Sequence, residues 1–236
     1  MKSVFITGSN RGLGKGFVEY FLNDNYKVFA GVRKIQNIDT KLLNNRNLVP
    51  VVIDVGDDYS IKSAYEIIKK QSSSLDYLIN NAGLNKDSAT NSNAELVCNL
   101  NNLDRKSLLI MFNVNTISPL LVTKIFLPLL NTNPSFVVNI SSARSSYYDE
   151  NPNTNGNYGY RASKTALNMM TYCSLFDLPK NIKTFTIHPG SVRTDMNPMG
   201  TDTPIDQASK IIAITKNWDD DFNGKFLRFD RTIYPL

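Results

Sequence analysis

Cysteine is nearly absent: Cys98 and Cys173 are the only two. They lie far apart and show no metal or redox spacing, which argues against a disulfide scaffold and a thiolate metal centre. Two free thiols in a reducing, cytoplasmic compartment are the expectation. Histidine is scarcer still. His188, the single one, precedes Pro189-Gly190 without an acid partner or a metal-ligand set, so no metal is expected and His188 is assigned no chemistry. No run is read as long and apolar enough to cross a bilayer, so no membrane partner is expected. The apolar start of the chain is too short for a secretory signal. Concentrated positive charge is lacking too. The net charge is +5, but the basic residues are scattered in short pairs such as Arg33-Lys34 and Lys69-Lys70. That argues against a nucleic-acid partner, and a small phosphate-bearing ligand accounts for the balance.

Internal repeats, proline-rich linkers and a second-domain boundary are also missing. The 236 residues therefore suit one domain over 1–236 with a large core. What is present is an alternation of strand and helix. Apolar strands are expected at 2–7, 27–32, 48–54, 76–80, 136–140, 183–188 and 225–229. Helices are expected at 14–25, with Phe17, Val18, Phe21 and Leu22 on one face, and at 61–71 and 161–177. A long helix over 106–130 is expected to bend near Pro119. Near-continuous apolar strands separated by helices indicate an α/β fold, a doubly wound sheet of about seven parallel strands covered on both faces. The asparagine-rich stretches 91–102 and 151–157 read as polar surface loops.

In such sheets ligands bind beyond the carboxyl ends of the strands. Ser142 follows the 136–140 strand, and eighteen positions later comes Tyr160-Arg161-Ala162-Ser163-Lys164. A tyrosine and a lysine four apart share a helix face. Tyrosine's pKa of about 10 is too high for ready exchange near neutrality, and a nearby ammonium lowers it. Tyr65 and Lys69 have the same spacing, but no strand-end serine precedes them, and Tyr65 reads as an ordinary helix residue. Thr7-Gly8-Ser9-Asn10-Arg11-Gly12-Leu13-Gly14 joins the first strand to the first helix. Its glycines suit a tight turn and a phosphate at the helix N-terminus. Asn80-Asn81-Ala82-Gly83 ends the fourth strand, where small residues let a cofactor cross and an amide can tie loops together. Asp54, with Val55 after it, ends the third strand. Its carboxylate could accept from an adenine amino group or merely cap a loop.

Taken in order, the Thr7–Gly14 motif, Asn80 to Gly83, Asn115, Ser142, Tyr160 with Lys164, and Pro189-Gly190 with Val192 and Thr194 resemble the short-chain dehydrogenase/reductase family. The Asn-Arg-Gly form of the loop looks most like carbonyl reductases and C-factor-type members. The resemblance implies a Rossmann-type NAD(P)-binding domain in which Tyr160 exchanges the proton with a carbonyl or alcohol substrate. Lys164 would bind the nicotinamide ribose and lower the tyrosine pKa. Ser142 would hydrogen-bond the substrate oxygen, Asn115 would hold a water linking Lys164 to solvent, and the Pro189 to Thr194 segment would grip the nicotinamide amide. Hydride transfer with general acid catalysis follows.

Against the family pattern, the Ser142 to Tyr160 gap is long and adds a polar loop over 145–157. Only 196–203 is available as a lid, and Arg231 stands where relatives often have glycine. NADP(H) is the expected cofactor. The 27–32 strand ends without the acid that marks NAD sites. Arg33 follows it, Arg11 could add a second cation, Ser9 and Asn10 could add hydrogen bonds, and Asp39 comes too late. The alternatives are a reductase of a defined intermediate, such as a 3-oxoacyl thioester or a pteridine, or a non-catalytic dinucleotide sensor or signalling protein. The 106–130 and 161–177 helices could form a homodimer interface or simply cover the sheet.

Overall fold

The computed structural model describes residues 1–85, 100–101, 103–148 and 157–236. Cys98 and most of both asparagine-rich stretches lie outside the described residues. Strand β1 (Ser3–Thr7) is buried along its whole length. Its alternation sends Val4 and Ile6 into one apolar cluster and Phe5 into the other, as the two-residue period of a strand requires. After α1 (Gly12–Asn23) come β2 (Lys27–Val32), the single turn α2 (Thr40–Leu43), β3 (Leu48–Val52), α3 (Asp58–Lys69) and β4 (Tyr77–Asn80). Then follow α4 (Arg105–Phe112), α5 (Ser118–Phe126), β5 (Ser135–Ile140), α6 (Tyr158–Ser174), β6 (Ile182–His188), α7 (Pro204–Lys216) and β7 (Phe226–Arg228).

The strands form one sheet in the order β3-β2-β1-β4-β5-β6-β7, and every pair is parallel. The chain runs outward from β1 to β3, then returns to start the other half at β4. The connections leaving β1 and β4 therefore diverge, and a crevice opens between them at the carboxyl ends of the strands. On one face Phe17 and Phe21 of α1 and Ile211 of α7 close the core. On the other, Ile61 and Ile68 of α3 and Val122 and Phe126 of α5 do so.

The α7 helix is absent from the sequence reading. Its start is written in Thr203-Pro204-Ile205-Asp206: Thr203 accepts a hydrogen bond from the Asp206 amide, and Pro204 occupies the first turn, a normal helix opening. It packs tightly on α1 because Gly16 has no side chain; a Cβ there would lie 2.3 Å from the Pro204 carbonyl oxygen.

The expectation that no segment could span a bilayer needs correction. The helix over Arg105–Leu129 is long and apolar enough by length and composition, with a mean hydropathy of 1.5. Its apolar character follows from its place in the fold: Met111, Val122, Phe126 and Leu129 are buried in the interior. The irregularity lies one turn before Pro119, as a π-helical turn over Asn113–Ile117. Proline has no N–H to return to the carbonyl four residues back, that of Asn115, and Ser118 Oγ instead donates to the Asn113 carbonyl at 2.7 Å. The outer face of this helix leaves Leu109, Ile117 and Leu120 exposed, and that of α6 leaves Met169 and Tyr172 exposed.

Candidate active site

The seam between β1 and β4 is stapled by two side chains. Thr7 Oγ1 accepts from the Asn81 and Ala82 amides, both at 3.1 Å. Asn81 Nδ2 donates to the Thr7 and Gly8 carbonyls, both at 3.0 Å. The asparagine thus ties the loops together as its position suggested. Gly8 sits at φ +69°, where a Cβ would lie 2.9 Å from the Ala82 Cα, so a side chain there is excluded on both counts.

Helix α1 begins at Gly12 with Arg11 as its N-cap. No side chain caps its amides, and its first turn holds no acid. By contrast, α3, α4 and α7 are capped by Asp57, Asp104 and Thr203. An uncapped helix start behind a glycine turn presents free amides and the positive end of the helix dipole. The residues present therefore fit the pyrophosphate of a dinucleotide.

This turn opens into a cavity of about 1270 Å³ running across the carboxyl ends of the sheet. Gly8, Asn10, Arg11, Gly12, Leu13 and Gly14 line it at the seam, with Asn81, Ala82 and Gly83 opposite. Arg33, Asp54 and Val55 line the end beyond β2 and β3. Ser142, Tyr160 and Lys164 line the end beyond β5, with Pro189, Gly190, Val192 and Thr194 from the loop after β6. Ser191, within that loop, lines it too, as do Asn37 and Tyr234; nothing in the sequence spacing marks the last two, since they come from a turn and from the tail.

Two expected residues do not reach the cavity wall. Ser9 is buried, and its hydroxyl donates to the Ile6 carbonyl at 2.6 Å; it shapes the turn and has no hydroxyl to spare for a ligand. Asn115 is fully buried. Its Oδ1 accepts from the Leu84 amide at 2.8 Å, while Nδ2 donates to the Leu84 carbonyl at 2.8 Å and Ser163 Oγ at 3.0 Å. Its side chain fastens the segment after β4 to α6, with both amide atoms engaged.

Of two further charged residues, Arg11 is engaged differently from the expectation and Asp54 takes one of the two roles open to it. Arg11 reaches across the crevice to Asp195 at 2.8 Å, both being exposed, instead of standing beside Arg33 as a second cation. Asp54 Oδ1 accepts from the Gly56 amide at 2.9 Å, so one carboxylate oxygen does cap its loop. Arg33 itself is exposed at the end of β2 and has no hydrogen bond or ion pair among the described residues. Asp39 caps α2 and pairs with Lys15 at 2.8 Å, well away from the β2 end in role.

Tyr160 lies in the first turn of α6, and Lys164 one turn on. The Lys164 ammonium is buried and donates to the Ile140 carbonyl at 2.7 Å. Burial lowers its pKa from 10.5 to about 8. The expected lowering of the tyrosine by Lys164 is not seen. Burial pushes the Tyr160 phenol above its ordinary value, and the opposing influences are a hydrogen bond from Ser142 and the positive charge of Arg144. Desolvation acts on both groups, raising the phenol and lowering the ammonium. Tyr65 has nearly the same relation to Lys69, 5.5 Å from ammonium to ring centre. It packs edge-on against Phe126 in the second core cluster and forms no part of the cavity wall, as the sequence reading held.

The 196–203 segment is folded back on the loop after β6. Thr194 and Asn197 exchange backbone hydrogen bonds, and Thr201 and Asp202 both donate to the Ser191 carbonyl. It is a bound turn that lends Met196 and Asn197 to the cavity wall, with Met196 and Met199 exposed.

The profile of the short chain dehydrogenases matches residues 2–204. The C-signal protein of Myxococcus xanthus is 32% identical over 165 residues, covering 68% of this chain and 92% of that protein. The NADPH-bound carbonyl reductase from chicken fatty liver matches with a TM-score of 0.88 and 31% identity, over 100% of this chain and 99% of that one. The carbonyl reductase Sniffer of D. melanogaster matches with a TM-score of 0.85 and 28% identity, over 100% of both chains. With a likeness that runs from the first strand to the start of α7, the chain belongs to the short chain dehydrogenase family, oxidoreductases that use a nicotinamide dinucleotide on small molecules.

Proposed function

We propose that the protein is an NADPH-dependent reductase of aldehydes or ketones. The observation that carries this reading is convergence. Ser142, Tyr160 and Lys164 meet in the same cavity as the uncapped glycine turn. The likeness to carbonyl reductases, one of them NADPH-bound, supports it.

The glycine turn and the amides of α1 would hold the pyrophosphate, Arg33 the 2′-phosphate, and the loop from Pro189 to Thr194 the nicotinamide end. When bound, the cofactor supplies a hydride to the carbonyl carbon. Ser142 orients the carbonyl oxygen, and Tyr160 gives its proton to the developing alkoxide. A phenol held above its ordinary value by burial stays protonated near neutrality, which suits an acid. Lys164 would hold the ribose. Since the Asn115 amide is spent, its main-chain carbonyl, deprived of its usual helical donor by Pro119, is the group assigned to a bridging water.

The exposed apolar residues of α4, α5 and α6 support a homodimer. The free, exposed Cys173 suits a reducing cytoplasmic setting. Oxidation of NADPH with a panel of aliphatic and aromatic aldehydes and ketones tests the reading. Steady turnover is the expected result. Tight NADPH binding with no turnover on any member would favour a dinucleotide-binding signalling protein instead.

A further inference from the structure

Beyond the pull of its charge on the Tyr160 phenol, Arg144 has no part in the chemistry above, yet it stands at the reacting end of the cavity. It lies two positions after Ser142, in the 3₁₀ turn Ala143–Ser145, is half-buried and lines the cavity wall. The turn that carries it is held from several sides. Ser142 Oγ accepts from the Arg144 amide at 3.2 Å, and the Arg161 guanidinium donates to the Arg144 carbonyl at 3.5 Å. Ser145 Oγ donates to the Ser142 carbonyl at 2.6 Å and accepts from Asn168 Nδ2 at 2.9 Å. Thr165 Oγ1 donates to the Ser145 carbonyl at 2.7 Å. The backbone under Arg144 is thereby fixed to α6, the helix that carries Tyr160.

The guanidinium itself has no hydrogen-bond acceptor and no ion pair among the described residues. The other cations of the cavity are placed differently. Arg11 is paired with Asp195, Lys164 is bound to the Ile140 carbonyl, Arg228 lies 3.5 Å from Asp230, and Arg33 is at the far end beyond β2. The acids of the cavity wall give Arg144 no partner either: Asp54 and Asp57 lie at the β3 end, and Asp195 is held by Arg11. A half-desolvated arginine with no acid partner among the described residues is costly to cover with a neutral ligand and favourable to cover with an anion. Its planar fork matches a carboxylate in two hydrogen bonds.

We propose that Arg144 is a specificity-determining residue, selecting carbonyl substrates that carry an anionic group, a carboxylate foremost, a short distance from the reacting carbonyl. This rests on the reading of the cavity as a carbonyl-reductase site.

The test compares 4-carboxybenzaldehyde with its methyl ester, reading the ratio of their kcat/KM within each variant. Any change in Tyr160 acidity common to both substrates then divides out. Wild type is expected to favour the carboxylate by on the order of tenfold or more, the scale of a charge-assisted contact. Arg144→Met should bring the ratio near one. Arg144→Glu should turn the preference toward 4-(trimethylammonio)benzaldehyde. Equal kcat/KM for acid and ester in wild type, or an unchanged ratio in Arg144→Met, overturns the role of Arg144 while leaving the reductase reading in place. NADPH binding without reduction of any of the three aldehydes overturns both.

Discussion

The Lys164 ammonium stands 6.0 Å from the centre of the Tyr160 ring and spends its hydrogen bond on the Ile140 carbonyl. One helix turn links the two residues, but burial is the largest influence on each of them separately. That separation gives the pair distinct, measurable signatures.

Tyr160→Phe keeps the ring and removes the transferable proton. Turnover should fall by roughly 10² to 10⁴, the usual worth of a general acid, while NADPH affinity by fluorescence titration stays near wild type. Tyr65→Phe, in a pair of the same spacing, should keep wild-type turnover. An inactive Tyr65 variant would reverse the choice between the two pairs.

Lys164 makes stability depend on pH in a window set by its own shift. Below about pH 8 the lysine is charged in both the folded and unfolded states, and the folded state bears the full cost of burying the charge. Between about 8 and 10.5 the folded protein has released the proton and the unfolded chain still holds it, so stability rises with pH. The drop from 10.5 to about 8 corresponds to roughly 3 kcal/mol. Denaturant melts of ligand-free wild type and Lys164→Met should show the wild type gaining on the variant across this window. A constant difference from pH 7 to 10.5 would mean that Lys164 titrates normally. In the same variant NADPH binding should weaken.

Arg33 has no hydrogen bond or ion pair among the described residues, and β2 ends without an acid. Dissociation constants should favour NADPH over NADH in wild type, and Arg33→Ala should lose most of that preference, on the order of tenfold or more for a charged contact. Equal affinities in wild type would remove the assignment. Because Arg11 is engaged with Asp195, Arg11→Ala should change the preference less.

Arg231, the arginine where relatives often have glycine, adopts φ 72°, a left-handed conformation that costs a residue with a Cβ about 1 kcal/mol or more. Its guanidinium donates to the Asn217 carbonyl at 2.8 Å. Arg231→Gly and Arg231→Ala both lose that contact, but only glycine relieves the backbone. The glycine variant should be the more stable of the two by about 1 kcal/mol in chemical denaturation. Equal midpoints would show that the tail relaxes around either residue.

The sheet was legible because buried parallel strands are written as apolar runs, and Val4, Phe5 and Ile6 need no knowledge of their neighbours to read as one. The crevice was legible because Gly8 and Gly12 meet a backbone demand that only glycine fills cheaply. Directions of side chains were not. Nothing in Ser9 tells that its hydroxyl turns back to Ile6, or in Asn115 that its amide is consumed by Leu84 and Ser163. The α7 helix was hidden because its opening, Thr203-Pro204, adjoins a turn that reads as a lid. Nothing in the sequence singled out Arg144, since its position depends on Ser145, Thr165 and Asn168 pinning the turn. The effect of Lys164 on Tyr160 failed for a different reason: spacing reports proximity and says nothing of desolvation.

The staple between Thr7 and Asn81 has a consequence for the order in which the protein becomes competent. Its two halves are made more than seventy positions apart in the chain. As the polypeptide leaves the ribosome, the glycine turn is complete long before β4 exists to brace it, and β5, which leads to Ser142, follows later still. Pairings of such long sequence separation close late in folding. The crevice is therefore a property of the assembled sheet alone, and acquisition of dinucleotide affinity would serve as a clock for the last stage of folding.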